Sequence, residues 1–556
     1  MLVSATVPEI RAAEEPLLAA GIPLMQQAAR AVADTVVEDG FQPPAAVALL
    51  VGAGNNGGDA LWAGSFLADS GYDVTAYLLA EQVHEEGLAA LIATGGRAVN
   101  VVGTGAFSGK RTPGDRSTVS TFQPLTLPGG PHGTPGYSVD LAAVQISGAV
   151  VILDGILGIG ASGALRGVAG ELVTALLPRI RPGRPWVIAV DCPSGITLDG
   201  PAAGQIPGVV LPANHTITFG APKPGLELPP ASNAVGKLTV LDLGMELDAS
   251  QAAPAEQSPL IYRLSAADVA HSWPVPGPND QKYTRGVVGV IAGTNTYPGA
   301  AILTCAAAVN AGAGMVRYTG PSRVAEMVIS ANPEVVPVGG QVQALVLGPG
   351  VPTDGHDDGQ LDKARAALAG ASGSLPGAGQ PTPAVVDAGA LTIIVKPLPP
   401  WVVLTPHSGE MATLLSAHGK PTKRAEVEAN PLAAVRAAHQ ITGATVLLKG
   451  ATTLVVGPGI VPGGQGIVIY SQADAPYWLA TAGAGDVLAG LLGTMLAARS
   501  KEVVATPGLA AEITAAAALV HGLAAARVNP GGPITALEVA QEIPRTIAAI
   551  LRGEIR

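Results

Sequence analysis

Apolar residues recur along this chain with two different periods, and the periods alternate. Residues 9–38 carry apolar positions at helical spacing, and Ala46–Val51 is a short unbroken apolar run that predicts a buried strand. That run leads into Gly52-Ala-Gly-Asn-Asn-Gly-Gly-Asp59, then a helical pattern over Ala60–Ser70, then a strand over Val74–Ala80. Strand, glycine-rich turn, helix and strand is the grammar of a doubly wound sheet. Further strands are predicted at Ala149–Leu153, Trp186–Val190, Thr216–Phe219 and Lys237–Leu241. The pattern lapses over 103–138, where Gly, Pro, Ser and Thr replace core formers and predict a long, mobile insertion. It lapses again between 245 and 262, a stretch that reads as a linker.

A second α/β series follows. Its predicted strands are Val287–Ile291, Met315–Tyr318, Ala344–Leu347, Ala384–Val386, Val402–Leu404, Thr445–Leu448 and Thr453–Val456. Residues 352–381 are loop-prone around one short helix, and helices at about 485–498, 508–527 and 534–551 close the chain. No short-period repeat is visible, which argues against a solenoid.

Composition narrows the class. With 556 residues the chain is too long for one core. Hydrophobic residues make up 48% but aromatics only 3%, so the cores must be built from Ala, Val, Leu and Ile. A net charge of -11 argues against a nucleic-acid surface, and any anion site must therefore be local. Cys192 and Cys305 cannot form a disulfide framework, which fits a reducing cytoplasm. The first residues carry charges where a signal peptide needs its apolar run. The Ala-rich segments 301–314 and 508–526 are interrupted by Asn310 or by Glu512 and His521, so neither reads as a membrane span.

The candidate chemistry centres on Thr481-Ala-Gly-Ala-Gly-Asp-Val-Leu-Ala-Gly490. A glycine-rich turn (Gly483, Gly485) that opens an apolar helix leaves backbone N–H groups unpaired, and the helix dipole draws an anion such as phosphate to them. Asp486 lies inside that nest. A carboxylate beside phosphate suggests a general base; the bland alternative is a helix cap. In the first half, Gly52–Asp59 departs from a dinucleotide fingerprint by placing Asn55 and Asn56 in the turn, where their amides face an approaching ligand. Asp154 and Asp191 end predicted strands, where ligands of open α/β sheets bind, although either alone reads equally as a cap. Cys192 has no histidine in its motif and reads as a small apolar filler. In the second half, Gly293-Thr-Asn-Thr-Tyr-Pro-Gly-Ala-Ala301, Gly348-Pro-Gly350, Asp387-Ala-Gly-Ala-Leu391, Leu404-Thr-Pro-His-Ser-Gly-Glu410 and Lys449-Gly-Ala-Thr-Thr453 each follow a strand. Lys449 offers a point charge to a nucleotide. His407 and Glu410 read either as substrate contacts or as structural first-turn groups.

Gly52–Asp59, Ile152-Leu-Asp-Gly-Ile-Leu-Gly-Ile-Gly160 and Ala189-Val-Asp-Cys-Pro-Ser-Gly195 together resemble the NAD(P)H-hydrate epimerase family, the YjeF N-terminal domain, over most of residues 1–245. The resemblance implies that Asn55, Asn56, Gly57, Gly58 and Asp59, with the turn Gly158, Ile159, Gly160, Ala161, Ser162, Gly163 and Ala164, hold the substrate. It implies that Asn56, Asp154 and Ser194 surround a potassium ion and that the catalytic Asp191 faces the reacting ring. A hard cation prefers such oxygen ligands. The C-terminal motifs resemble the ADP/ATP-dependent NAD(P)H-hydrate dehydratase family, with a ribokinase-like fold, over nearly all of 270–550. That resemblance implies that Lys449, Gly450, Ala451, Thr452, Thr453 and Gly485 contact the nucleotide. It places Ala300 or Ala301, Gly350, His407 and the catalytic Asp486 around the hydrate.

The expected architecture is α/β: an N-terminal Rossmann-like three-layer αβα domain over 1–246, then a ribokinase-like α/β domain over 260–556. The expected function is bifunctional repair of damaged nicotinamide nucleotides. NADHX and NADPHX would be epimerised with K+, and the S form dehydrated at the expense of ADP or ATP with Mg2+. The expected partners are these small molecules, without nucleic acid or membrane; a homo-oligomer stays open. The alternative is a ribokinase-like small-molecule kinase fused to a non-catalytic ligand-binding domain.

Overall fold

The computed structural model describes residues 1–103, 136–160, 163–181, 183–247, 258–373, 380–461 and 464–555. The body of the 103–138 insertion, Ala161, Ser162 and part of the 352–381 stretch lie outside the described residues. The chain divides into two compact units, Ser4–Pro259 and Leu260–Arg556, the second also taking Met1–Val3. The three N-terminal residues differ from the expectation of a domain beginning at residue 1. Leu2–Val3 pairs antiparallel with Tyr262–Arg263 at the edge of the second unit's sheet, so backbone hydrogen bonding decides their membership.

The first unit is built on eight parallel strands. Their order across the sheet is Gly136–Ser138, Arg97–Val102, Asp73–Leu78, Ala46–Val51, Val151–Gly155, Trp186–Val190, His215–Phe219 and Lys237–Leu241. The chain runs outward from Ala46–Val51 in one direction and then, from Val151–Gly155, in the other. That reversal puts the topological switch point between these two central strands, where a crevice opens beyond their carboxyl ends. Both are buried on both faces, which is why their sequences read as continuous apolar runs. Arg97–Val102 and Gly136–Ser138 were not legible from the sequence: one begins on Arg and contains Asn100, and the other is three residues long. The helical pattern of 9–38 resolves into two helices, Val7–Ala19 and Leu24–Glu38, separated by a break at Gly21 (φ 76°).

The second unit carries an eleven-stranded mixed sheet. From Val335–Val336 inward the order is Met315–Tyr318, Val287–Ile291, Ala344–Leu347, Ala384–Val386, Val402–Leu404 and Thr445–Leu448, all parallel. An antiparallel hairpin follows, Thr453–Val461 with Gly464–Gln472. The second hairpin strand was missed because Gly464, Gln465, Gly466 and Gln472 dilute its apolar signal. Here the switch point lies between Val287–Ile291 and Ala344–Leu347. The helices Pro298–Asn310, Ala484–Ala498, Leu509–Val528 and Ala536–Leu551 pack into one core with the sheet. Their many alanines let backbones approach closely, which offsets the shortage of aromatics. Leu509–Val528 is long and apolar enough to cross a membrane, but 72% of its apolar window is buried inside this unit, as in a core helix.

Candidate active sites at the two switch points

In the first unit, backbone packing assembles the crevice before any side chain enters it. A Cβ on Gly52 would lie 1.9 Å from the Ile156 carbonyl oxygen, so only glycine lets the two central loops close together. The Asn55–Asp69 helix starts at once, with Gly54 as its N-cap. Asn55, Asn56, Gly57, Gly58 and Asp59 are thus the opening turns of a helix, not the free turn expected from their Asn-Gly composition. Their early N–H groups and the dipole face the crevice.

Asp154 is fully buried at the end of its strand. Its carboxylate accepts the Ser194 N–H at 2.9 Å, the Ser194 hydroxyl at 2.7 Å and the Ile156 N–H at 3.3 Å. Burial raises its pKa, and these hydrogen bonds pull it back only in part. Asn56 lies beside them: a Cβ on Gly158 would approach its side chain to 3.1 Å. Asn56 is 6% exposed, and its Nδ2 has no hydrogen-bond partner among the described residues. The structure therefore brings the three expected cation ligands into one neighbourhood. A buried carboxylate with only neutral partners, next to an amide and a hydroxyl, is a donor set that fits an alkali cation.

Asp191 adopts φ 64°, a left-handed conformation that Asp tolerates better than most residues but still at some cost. The carboxylate is held by groups from three segments. Oδ2 accepts the Ile159 N–H at 3.3 Å, and Oδ1 accepts the Thr218 hydroxyl at 3.1 Å. Oδ1 also takes the Lys223 ammonium at 2.6 Å, and that side chain is fully buried. Lys223 donates further to Thr218 Oγ1 at 2.8 Å and the Phe219 carbonyl at 3.1 Å. Sequence reasoning missed Lys223. The available signal was a lysine between two prolines, Pro222 and Pro224, just beyond a strand end. Asp59 is buried nearby, with its pKa pushed well above the usual carboxylate range by desolvation and then by the Asp191 and Glu14 charges. Ala161 and Ser162 lie outside the described residues; Gly160 is exposed, whereas Ile159 is partly buried in apolar clusters.

In the second unit the loops at the switch point interlock in the same way. The Gly293 N–H donates to the Pro349 carbonyl at 2.7 Å. Gly350 (φ 65°) has no room for a Cβ, which would meet Ala300 Cβ at 2.3 Å. Ala300 is partly exposed beside that turn, but Ala301 is fully buried against Gly293. Of the two expected contacts, only Ala300 presents surface.

Asp486 stands in the first turn of Ala484–Ala498, after the left-handed N-cap Gly483. Lys449 Nζ pairs with Asp387 Oδ1 at 2.7 Å and lies 3.8 Å from Glu410 Oε2. A Cβ on Gly485 would sit 3.3 Å from that same ammonium, which joins the nest to the charged cluster. Thr405 donates to Asp387 Oδ1 at 2.9 Å. Burial lowers the Lys449 pKa, but Asp387, Glu410 and Asp486 more than offset this and raise it overall. The Asp486 pKa is pushed up to about 7, first by desolvation and then by the Asp387 charge, with Lys449 opposing. Three carboxylates and one ammonium thus meet at a helix N-terminus. Asp387 and Glu410 were legible as motif members, but their convergence on Lys449 was not.

His407 caps the Ser408–Ala417 helix: its Nδ1 accepts the Gly409 and Glu410 N–H groups at 3.0 and 3.3 Å. Glu410 Oε2 accepts the His407 N–H in return at 2.9 Å, closing a capping box. The ring remains 57% exposed and borders a cavity of about 430 Å³, lined among others by Val351, Leu391, Glu410 and Leu414. The structural first-turn reading of His407 is thus observed, and its ring also faces a cavity. Gly450 and Ala451 form the loop after Lys449, whereas Thr452 is buried and Thr453 begins a strand.

The two units define a two-part α/β enzyme in which each half gathers buried carboxylates at its sheet's switch point. Residues 21–225 match the family model described as YjeF-related protein N-terminus, and residues 288–545 match that described as NAD(P)H-hydrate dehydratase. The chain is 35% identical over 513 residues to "Bifunctional NAD(P)H-hydrate repair enzyme Nnr" of Mycobacterium tuberculosis (strain ATCC 25618 / H37Rv), covering 88% of each. It is also 35% identical over 573 residues to the enzyme of that name from Mycobacterium leprae (strain TN), covering 98% of this chain and 99% of that one. Its first half is 39% identical over 252 residues to "NAD(P)H-hydrate epimerase" of Microbacterium testaceum (strain StLB037), covering 45% of this chain and 82% of the relative. The chain belongs to the bifunctional NAD(P)H-hydrate repair enzymes.

Proposed function

We propose that the first unit interconverts the two C6 epimers of NAD(P)H hydrate and that the second dehydrates one of them, the S form, by phosphoryl transfer from ADP or ATP. The observation that carries the second half is Asp486: a carboxyl with a pKa near 7, in a glycine nest that suits phosphate. Asp486 takes the proton of the C6 hydroxyl while that oxygen attacks the terminal phosphoryl group. Phosphate then leaves with the C6–O bond as the ring nitrogen supplies electrons, and loss of a C5 proton restores the dihydropyridine. Lys449 and the backbone N–H groups before Asp486 hold the transferring phosphates, and Ala300, Gly350 and His407 border the hydrate. Three carboxylates against one ammonium leave excess negative charge at a phosphate site, so Asp387 and Glu410 suit a magnesium ion arriving with the nucleotide. That ion would neutralise charge developing on the phosphoryl oxygens.

In the first unit, Asp191 assists departure and return of the C6 hydroxyl, and Lys223 and Thr218 orient its carboxyl group. Asn56, Asp154 and Ser194 are the proposed potassium ligands. The cation would supply fixed positive charge for the substrate's anionic groups. The epimerase belongs with the dehydratase because a catalyst accepting one epimer strands the other. The test is incubation of mixed NADHX epimers with each nucleotide, with and without K+, following recovery of the dihydronicotinamide absorbance. Nucleotide breakdown with an unrelated alcohol but not with the hydrate would favour the kinase alternative.

A further inference from the structure

Epimerisation at C6 needs proton transfer on both faces of one ring. Hydroxyl leaves from one face as water, which requires an acid there, and water returns to the flat iminium on the other, which requires a base there. Asp191 serves one face. The helix Val7–Ala19 lies over the Asp191 loop by its inward side. Val7 packs with Cys192, Ile196 and Ile159, and Ile10 packs with Ala221 and Ile159. Arg11 reaches the Ile159 carbonyl at 3.5 Å. Residues 7, 10, 11 and 14 share one helical face. Glu14 is therefore the first acidic side chain beyond the apolar seal formed by Val7 and Ile10, on the side that covers the crevice.

We propose that Glu14 is the second acid–base residue of the epimerase, serving the ring face opposite Asp191; this rests on the epimerase reading above. Charge coupling agrees with the placement. Desolvation raises the Glu14 pKa, Asp191 raises it further, and Lys223 and Arg11 oppose. Asp59 is coupled to both carboxylates. Two carboxyl groups in different surroundings, one on the covering helix and one paired with a buried ammonium, are what an acid and a base on opposite faces require. Asn56 Nδ2, buried and unpartnered among the described residues, lies beside Gly158, and the next residue, Ile159, donates to Asp191. Glu14 protonates the C6 hydroxyl, the C6–O bond breaks with electrons from the ring nitrogen, and water adds to the opposite face, giving its proton to Asp191. The reverse epimer uses the two in exchanged roles.

The experiment follows both inversion and washout of oxygen-18 from C6-labelled NADHX in Glu14→Gln, Asp191→Asn and parent protein. Inversion by Glu14→Gln should fall about 10²-fold, the order expected for a lost acid–base group. Oxygen exchange with retention should persist for one epimer, because Asp191 still serves its own face. Asp191→Asn should give the complementary pattern. Normal inversion by Glu14→Gln, or equal loss of inversion and of all exchange with the fold intact, overturns the proposal while leaving the epimerase reading in place. A parent protein that does not epimerise NADHX at all would reject that reading instead. Glu14→Asp, which keeps the acid but shortens its reach, should restore part of the inversion.

Discussion

At the residue scale, the proposed chemistry rests on three side chains, Asp486, Asp191 and Lys223. Asp486→Asn keeps the volume of the carboxylate but cannot accept a proton, so dehydratase turnover should fall about 10²–10⁴-fold. Nucleotide affinity, measured by titration calorimetry, should hold or tighten. A mere helix cap would leave turnover almost unchanged, because Asn caps about as well as Asp. With a pKa near 7, the parent's turnover should rise with pH through neutrality and then level off. Stability runs the other way. A carboxyl whose folded-state pKa lies above its ordinary 3.8 holds its proton more tightly in the fold, so stability declines as pH rises from about 4 to about 7. Asp486→Asn should therefore melt higher than the parent at pH 8 and at the same temperature at pH 4. The buried Lys223–Asp191 pair gives a second expectation. Lys223→Met should strand a buried carboxylate and cost the first unit on the order of 3–5 kcal/mol. Adding Asp191→Asn should recover much of that stability but no epimerase activity. A double variant as unstable as the single one would show that Lys223 matters through packing instead.

At the element scale, each site is the meeting of loops from adjacent parallel strands, and glycines permit the meeting. Gly52→Ala forces a methyl group into the Ile156 carbonyl. The variant should lose epimerase activity and lower the thermal transition of the first unit, with dehydratase activity unchanged. Retained epimerase would mean that the crevice tolerates separation of its two central loops. The Asn55–Asp69 helix illustrates what the pattern left open. Asn and Gly have weak helix propensity, so Asn55–Gly58 read as a turn, yet they open the helix because its first N–H groups need no intrahelical partner. His407 is similar: imidazole is an unusual N-cap acceptor, and the box with Glu410 became visible only once both backbone and ring were placed.

The whole molecule is two compact units of separate cores. Fragments 4–259 and 260–556 should each fold and carry one activity, epimerase for the first and dehydratase for the second. Limited proteolysis and assays of the purified halves test this; a half that folds only beside its partner rejects it. The strand Leu2–Val3 adds a finer expectation. Deleting residues 1–3 should lower the transition assigned to the second unit, where these residues pair with Tyr262–Arg263, and not that of the unit formed by the residues that follow them. Calorimetry with each fragment as reference distinguishes the two transitions.

The sequence by itself determined the α/β class, most of the strands and the motifs that close them. Those features depend on local apolar runs and on glycines at fixed offsets, and the buried parallel strands fell almost where their apolar runs lie. Val287–Ile291, Ala344–Leu347, Ala384–Val386 and Thr445–Leu448 needed no correction. Only the tertiary structure decided which charges meet. Lys223 comes to Asp191 across a strand and a turn, Asp387 and Glu410 converge on Lys449 from separate loops, and the helix that carries Glu14 packs through Val7 beside Cys192. It also decided that residues 1–3 pair with a strand some 260 positions away. Local propensity acts over a few residues, whereas electrostatic coupling depends on distance in space, and that distance is set by how the sheets and helices pack.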